Sequence, residues 1–380
     1  MSVEPFSIHI SDSELNELGR RTTDVRFPKN IENEKWDRGI SGAYLSDVVE
    51  YWKTKYNWRK AEEGLNMFHH FKTTISNTSI HFIYEKGRAS NSIPIILSHG
   101  WPDSFLRYIK MIPLLTDPEK LGIDSKFSFD VVIPSLPGFG FSDYPKSGLI
   151  NNETISDLWL ELMTKKLGYH RFVASGGDIG SGVTRYLASK YPENLIGIHL
   201  TDVGIIRQLI GNSVEQSLSS EEQNYVESIS AWLKSEAGYM SIQATKPQTL
   251  AFGLSDSPVG LAAWILEKFH SWGGLKTDLS LDDILTNIMI YWFNNNISTA
   301  TRIYYENSHS LNPIGTIGVP TAVCLFSEDI LLPPREWVER NFNIVRWKVV
   351  RKGGHFTSME NPIAYAQDLF QFVEGLGKTL

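Results

Sequence analysis

Gly176-Gly177-Asp178-Ile179-Gly180 lies between an apolar run, Arg171-Phe172-Val173-Ala174-Ser175, and a helical pattern, Val183-Thr184-Arg185-Tyr186-Leu187-Ala188. A residue held in such a strand-to-helix turn sits in a strained conformation at the carboxyl end of a sheet. Its flanking glycines are needed where the turn backs onto its neighbours. Gly176 and Gly180 are the only glycines in the chain four positions apart, so no second turn of this kind competes. Turns of this type usually carry serine, and an aspartate changes the chemistry. A carboxylate attacks an electrophilic sp³ carbon, forms an alkyl ester and is regenerated when water splits that ester. Asp178 also fits the plainer role of helix N-cap, but its glycine frame and the partners below favour the nucleophile.

On both sides of this turn, apolar strand-like runs end in turn residues and alternate with helical segments. They fall at residues 93–97, 129–133, 171–175 and 195–200, with two later ones at 321–326 and 344–350. Near-continuous apolar strands alternating with helices predict an α/β fold whose mostly parallel central sheet is covered on both faces. From about 203 to 304 strand signals vanish. Ser219-Ser220-Glu221-Glu222, Leu261-Ala262-Ala263-Trp264-Ile265-Leu266 and residues 284–293 all read as helical, so a helical lid over the carboxyl ends of the strands is expected. Ahead of the core, Ser11-Asp12-Ser13-Glu14 opens a helix with a capping box, and residues 46–56 read as a second. Strands are expected at 72–75 and 80–84, joined by Asn77-Thr78-Ser79. The expected organisation is an N-terminal extension over 1–88, a first core segment over 89–202, the lid over 203–304 and a second core segment over 305–380.

Among 380 residues, 42% hydrophobic and 21% charged content suit a globular chain with a sizeable core. A formal charge of −7 argues against nucleic acid as a partner. The single cysteine, Cys324, excludes an internal disulfide and a cysteine metal cluster, and sits in an apolar run that marks it as core. Neither a signal peptide nor an apolar run of about 18–20 residues is visible. A soluble, cytoplasmic protein without a membrane anchor is expected. No metal and no organic cofactor is implied, since His69-His70 lacks an obvious third ligand.

Three further features can carry chemistry. His355, in Arg351-Lys352-Gly353-Gly354-His355-Phe356, follows the last strand and opens the last helix, where the base of a nucleophile–acid–histidine triad belongs. The acid should end an intervening strand, and Phe326-Ser327-Glu328-Asp329 offers two carboxylates between which spacing does not choose. His99-Gly100-Trp101-Pro102 follows the strand at 93–97. It can supply the Trp101 N–H to an oxyanion, with Ile179 as second donor, and its X-Pro bond is a place to expect cis geometry. Ring-opening of a strained ether needs a proton donor for the departing oxygen. Tyr239, Tyr291, Tyr304 and Tyr305 lie in or beside the lid, and pattern alone does not rank them.

These motifs together resemble the epoxide hydrolases of the microsomal and juvenile-hormone type, within the α/β-hydrolase fold. The resemblance covers nearly the whole chain, from Tyr51-Trp52 and Phe71-Lys72-Thr73 through Gly238-Tyr239-Met240-Ser241-Ile242-Gln243 and Thr245-Lys246-Pro247. It continues in Asp256-Ser257-Pro258-Val259-Gly260-Leu261-Ala262-Ala263-Trp264. It implies Asp178 as nucleophile, His355 as base, Asp329 as the carboxylate that orients it, and Tyr239 and Tyr304 as the lid tyrosines. Tyr304 lies in Arg302-Ile303-Tyr304-Tyr305-Glu306-Asn307, so Tyr305 is its neighbour. Three departures stand out. Asp103 replaces the glycine that generally follows His-Gly-Trp-Pro; a carboxylate there could perturb the triad or favour polar substrates, and it is expected to point away from the site. Ile179 stands where many relatives have tryptophan. No counterpart is expected of the anchor that precedes this region in mammalian microsomal enzymes.

The expected substrate is a small hydrophobic epoxide, converted with water to a vicinal diol without a cofactor. Trp101, Phe252 and Trp264 are expected to line its pocket, and the aromatic N-terminal region to brace the lid or form a homodimer. Two alternatives compete. Haloalkane dehalogenation uses the same aspartate and histidine but needs N–H donors for a halide, and a non-catalytic ligand-binding homologue would keep only the fold.

Overall fold

A computed structural model describes residues 2–29, 36–123, 125–204, 218–274 and 279–377. Among these, nine strands form one sheet: β1 (Glu4–Phe6), β2 (His70–Ile75), β3 (Thr78–Glu85), β4 (Ser92–Ser98), β5 (Ser128–Pro134), β6 (Phe172–Gly176), β7 (Leu195–Leu200), β8 (Ile317–Phe326) and β9 (Phe342–Val350). Their spatial order is β1-β2-β3-β5-β4-β6-β7-β8-β9. Every neighbouring pair from β5 to β9 is parallel. The α/β architecture expected from the apolar runs is the one observed, with helices covering the sheet.

Pro94 sits inside central strand β4, where a missing N–H ordinarily breaks a ladder. It is accommodated because pairing to β6 starts only at Ile95, while β5 pairs along Ser92–Ile96. From β4 the chain steps to β5 on one side, then returns to β6 on the other. The loops leaving β4 and β6 therefore face each other across a crevice at the carboxyl ends of the strands, the usual binding position in an open α/β sheet.

The N-terminal region is continuous with this sheet, since β1, β2 and β3 add antiparallel strands to its β5 edge. Two details differ from expectation. The hairpin turn is Ser76-Asn77, both at positive φ (48° and 64°), and Thr78 already pairs with Ile75. A two-residue turn matches the right-handed strand twist better than the longer one expected. β1, which periodicity does not reveal, is a three-residue edge strand that tolerates Pro5. The second helix runs Gly42–Thr54, starting earlier than residue 46 because the Ser41 side chain caps the Tyr44 N–H. This helix and the turn just after it brace the helix Leu281–Phe293. Tyr51 donates to Asp282, Tyr56 lies 2.8 Å from the Thr286 hydroxyl, and the Trp52 indole meets the Met289 sulfur. Cys324 is buried in β8. Among the described residues no single helix is long and apolar enough to cross a membrane. Of the span 203–304 expected as the lid, residues 205–217 and 275–278 lie outside the described residues.

A buried histidine pair ties the hairpin to the core. His70 Nδ1 lies 2.9 Å from His81 Nε2, His81 Nδ1 lies 2.9 Å from the Ser135 hydroxyl, and His70 Nε2 lies 2.8 Å from the Leu65 carbonyl. The chain closes with both rings neutral: each Nε2–H donates and each Nδ1 accepts. Burial lowers both pKa values, that of His81 well below its ordinary position. The unfolded chain therefore binds protons that the native state refuses, and stability falls as pH drops below the unfolded value of about 6.5. Melting curves at pH 7.5 and 5.5 should show a loss of up to about 1.4 kcal/mol per histidine per pH unit. A His70→Gln/His81→Gln variant should lack that part of the pH dependence.

Candidate active site

β6 ends at Gly176, and after Gly177 and Asp178 the helix Ile179–Lys190 begins. Asp178 has φ 55° and ψ −128°, a strained conformation for a residue with a side chain, which the tight turn enforces. Closeness explains two glycines. A Cβ on Gly180 would lie 1.9 Å from the Ser98 carbonyl oxygen, and one on Gly100 would lie 2.3 Å from Asp178 Oδ1. The helix start can thus pack onto the end of β4, and the nucleophile's carboxylate occupies the space that a side chain at position 100 would take.

Around Asp178 the loops after β4, β8 and β9 converge. The Trp101 N–H donates to Asp178 Oδ1 over 2.9 Å, and the Trp101–Pro102 peptide is cis. His355 Nε2 lies 3.4 Å from Asp178 Oδ2, and its Nδ1 lies 2.9 Å from Asp329 Oδ1. Of the two carboxylates that spacing left open, Asp329 is therefore the one facing the imidazole. Ile179 is the first residue of its helix, so its N–H belongs to the unpaired N-terminal turn that can receive negative charge.

An aromatic cluster packs on Trp101, whose N–H holds this carboxylate. Tyr239 stacks on Trp101 with centroids 5.3 Å apart, and Tyr304 meets both rings edge-on at 6.0 and 5.8 Å. The other two tyrosines are elsewhere. Tyr291 is buried but donates to the Asp103 carbonyl. Tyr305 is 38% exposed and stacked on His309. The pocket expectation needs correction. Phe252 is 74% exposed on the outer surface of its helix. Trp264 is half-buried, with its indole N–H bonded to Gln243. Phe252 was placed by apolar character alone, which does not tell a helix's inner face from its outer one.

Three participants went unread. Trp272 meets His355 edge-on at 5.3 Å, and its carbonyl accepts the His355 N–H. Lys268, buried one turn earlier, lies 4.6 Å from the Tyr239 ring centroid and pairs with Glu267. Asp202 accepts the Asp178 N–H over 3.1 Å and the Gly204 N–H over 2.7 Å. Of these only Asp202 had a usable signal, a carboxylate just beyond a strand end. Trp272 and Lys268 lie in a lid helix whose pattern is that of core packing.

The charges are crowded. Burial pushes the Asp202 carboxyl up to about 6, with Asp329 and Asp178 adding to the rise while the Gly204 N–H and His355 oppose it. Burial lowers the affinity of His355 for a proton, yet Asp329 and Asp178 outweigh it and raise the imidazole to about 10. At neutral pH the resting site holds an imidazolium among carboxylates. Losing the Asp178 charge would release that proton more readily.

Two other clusters lie outside this site. His199, Cys324 and Asp368 could converge on a metal, but Asp368 is already bonded to His199 and Arg346. A cavity of about 940 Å³ between the helices Asp12–Thr23 and Pro258–Trp272 contains none of the residues around Asp178.

Residues 3–108 match the family model of the epoxide hydrolase N terminus, and residues 93–362 match that of the alpha/beta hydrolase fold. The chain is 36% identical to epoxide hydrolase 1 of Oryctolagus cuniculus, over 98% of this chain and 89% of that one. The crystal structure of juvenile hormone epoxide hydrolase from the silkworm Bombyx mori superposes with a TM-score of 0.88 at 30% identity, covering 99% of this chain and 95% of that one. The epoxide hydrolase of Aspergillus niger gives 0.87 at 30% identity, over 98% and 96% of the two chains.

Proposed function

We propose that this chain, which belongs to the epoxide hydrolase family of the α/β-hydrolase fold, converts hydrophobic epoxides to vicinal diols through an ester on Asp178. One observation carries the reading. The Asp178 carboxylate has one oxygen held by the N–H of Trp101, on whose ring Tyr239 stacks and Tyr304 packs edge-on, while the other faces His355. In the first half-reaction, Asp178 Oδ2 attacks an epoxide carbon from the face opposite oxygen. The carbon–oxygen bond breaks, and the departing oxygen takes its hydrogen bond and then a proton from Tyr239 or Tyr304.

Esterification removes the Asp178 charge and with it one support of the His355 proton. Neutral His355, oriented by Asp329, then takes a proton from water, and the resulting hydroxide attacks the ester carbonyl. The N–H groups of Trp101 and Ile179 receive the developing oxyanion. Collapse breaks the acyl–oxygen bond: the departing alkoxide takes the proton that His355 drew from water and leaves as the diol. The new carboxylic acid gives its proton to the tyrosinate, which restores the carboxylate and the tyrosine. Departure of a halide, the rival chemistry, calls for no proton. Two tyrosines packed on the Trp101 ring, beside the N–H that holds the carboxylate, suit an alkoxide. The same reading takes a small epoxide and water as the partners and a cytoplasmic setting.

Acyl–oxygen cleavage has a readable consequence. In one turnover with excess enzyme in heavy-oxygen water, the label should enter the Asp178 carboxylate and be absent from the diol. Label in the diol at the first turnover would mean direct attack of water on the epoxide, and the ester would be ruled out.

A further inference from the structure

Asp103 and Arg107 form a buried ion pair, each 1% exposed, one turn apart on the segment that follows the Trp101 loop. Asp103 Oδ1 accepts the Gly100 N–H over 2.9 Å, immediately before the Trp101 N–H that holds Asp178. Its Oδ2 receives Arg107 Nη1. From the other prong, Arg107 Nη2 donates to the His355 carbonyl over 2.7 Å, across 248 positions of sequence. Surrounding bonds fix the bridge. Tyr291 donates to the Asp103 carbonyl, Asn287 to that of Pro102 and Ser358 to that of Arg107. The carboxylate expected to point away from the site thus joins its two halves.

Stability alone does not account for this arrangement. A buried ion pair is often no better than well-packed apolar side chains of the same volume. Arg107 Nε is also buried without a hydrogen-bond partner, a cost that a purely structural pair would avoid. What the pair uniquely supplies is a rigid fork between the oxyanion loop and the backbone of the histidine.

We propose that Arg107, held by Asp103, is a positioning residue that sets the distance between the Trp101 N–H and the His355 imidazole. The inference rests on the ester mechanism above. In the resting enzyme both groups contact the Asp178 carboxylate, but they act chemically together in the second half-reaction, on opposite sides of one ester carbonyl. The bridge should therefore govern ester hydrolysis and leave alkylation alone.

Two variants test it by rapid-quench mass spectrometry with styrene oxide, which follows ester formation and decay separately. Arg107→Lys keeps the charge beside Asp103 but cannot also reach the His355 carbonyl. Ester should form at the wild-type rate and decay more slowly, on the order of 10²-fold, the penalty of displacing a catalytic group by about 1 Å. Asp103→Leu/Arg107→Met replaces the pair by apolar volume, so that the chain can fold without it. A structural role predicts that decay recovers with the melting temperature. A positioning role predicts a wild-type melting temperature and slow decay. Wild-type decay in the folded double variant, or equal slowing of both steps in Arg107→Lys, would overturn the inference. A wild-type enzyme that forms no ester would instead remove the mechanism on which it rests.

Discussion

Asp178→Ala will make no diol. Loss should reach the order of 10⁶-fold in kcat, as for removal of a nucleophile in other covalent hydrolases. Among the described residues, the carboxylates nearest to it are already engaged. Asp329 is committed to His355, and Asp202 accepts the N–H groups of Asp178 and Gly204. The fold should survive. Alanine keeps the N–H bonded to Asp202, and the positive φ, less favourable for alanine than for aspartate, is enforced by the surrounding turn. Removing one carboxylate from the cluster also relieves repulsion. The Asp202 carboxyl should titrate lower than about 6, and His355 should lose one support and titrate below about 10. Diol assays and NMR titration of the imidazole check both halves of this expectation. Wild-type turnover by Asp178→Ala would end the assignment.

His355→Gln should separate the half-reactions. Glutamine fills similar space but takes no proton from water, so ester decay should slow by about 10³-fold or more while alkylation proceeds. The pH dependence of the wild-type enzyme carries the same logic. His355 must be neutral to act, and its pKa in the resting enzyme is raised to about 10. The ester lacks the Asp178 charge, so the base should be freed at lower pH once alkylation has occurred. Ester decay should therefore rise with pH to a plateau, with a midpoint below 10, and the glutamine variant should show no such rise. Stopped-flow and rapid-quench measurements from pH 6 to 10 decide it. A decay rate independent of pH in the wild-type enzyme would mean that His355 is not the base.

Much of this site was legible because its parts sit at strand ends. Apolar runs such as 93–97 and 171–175 mark buried parallel strands, and the residues just beyond them, His99 to Pro102 and Gly176 to Gly180, stand out as turns. Local signals stop there. Nothing nearby in the sequence says that Asp329 rather than Glu328 meets His355, because the choice depends on how β8 and β9 align. Nor does the apolar character of Phe252 reveal that it faces outward, since a lid helix can present aromatics on either face. Arg107 reads as an ordinary basic residue after a turn, and its partner is 248 positions away. Trp272 touches His355 only because the lid folds back over the carboxyl ends of the strands.

The most direct test of the ester on Asp178 is intact-protein mass spectrometry of His355→Gln exposed separately to styrene oxide and 1-bromohexane. A mass gain from the epoxide, mapped by peptide digestion to Asp178, is the predicted result. Alkylation by the bromide alone, or an epoxide adduct on any other residue, would contradict it.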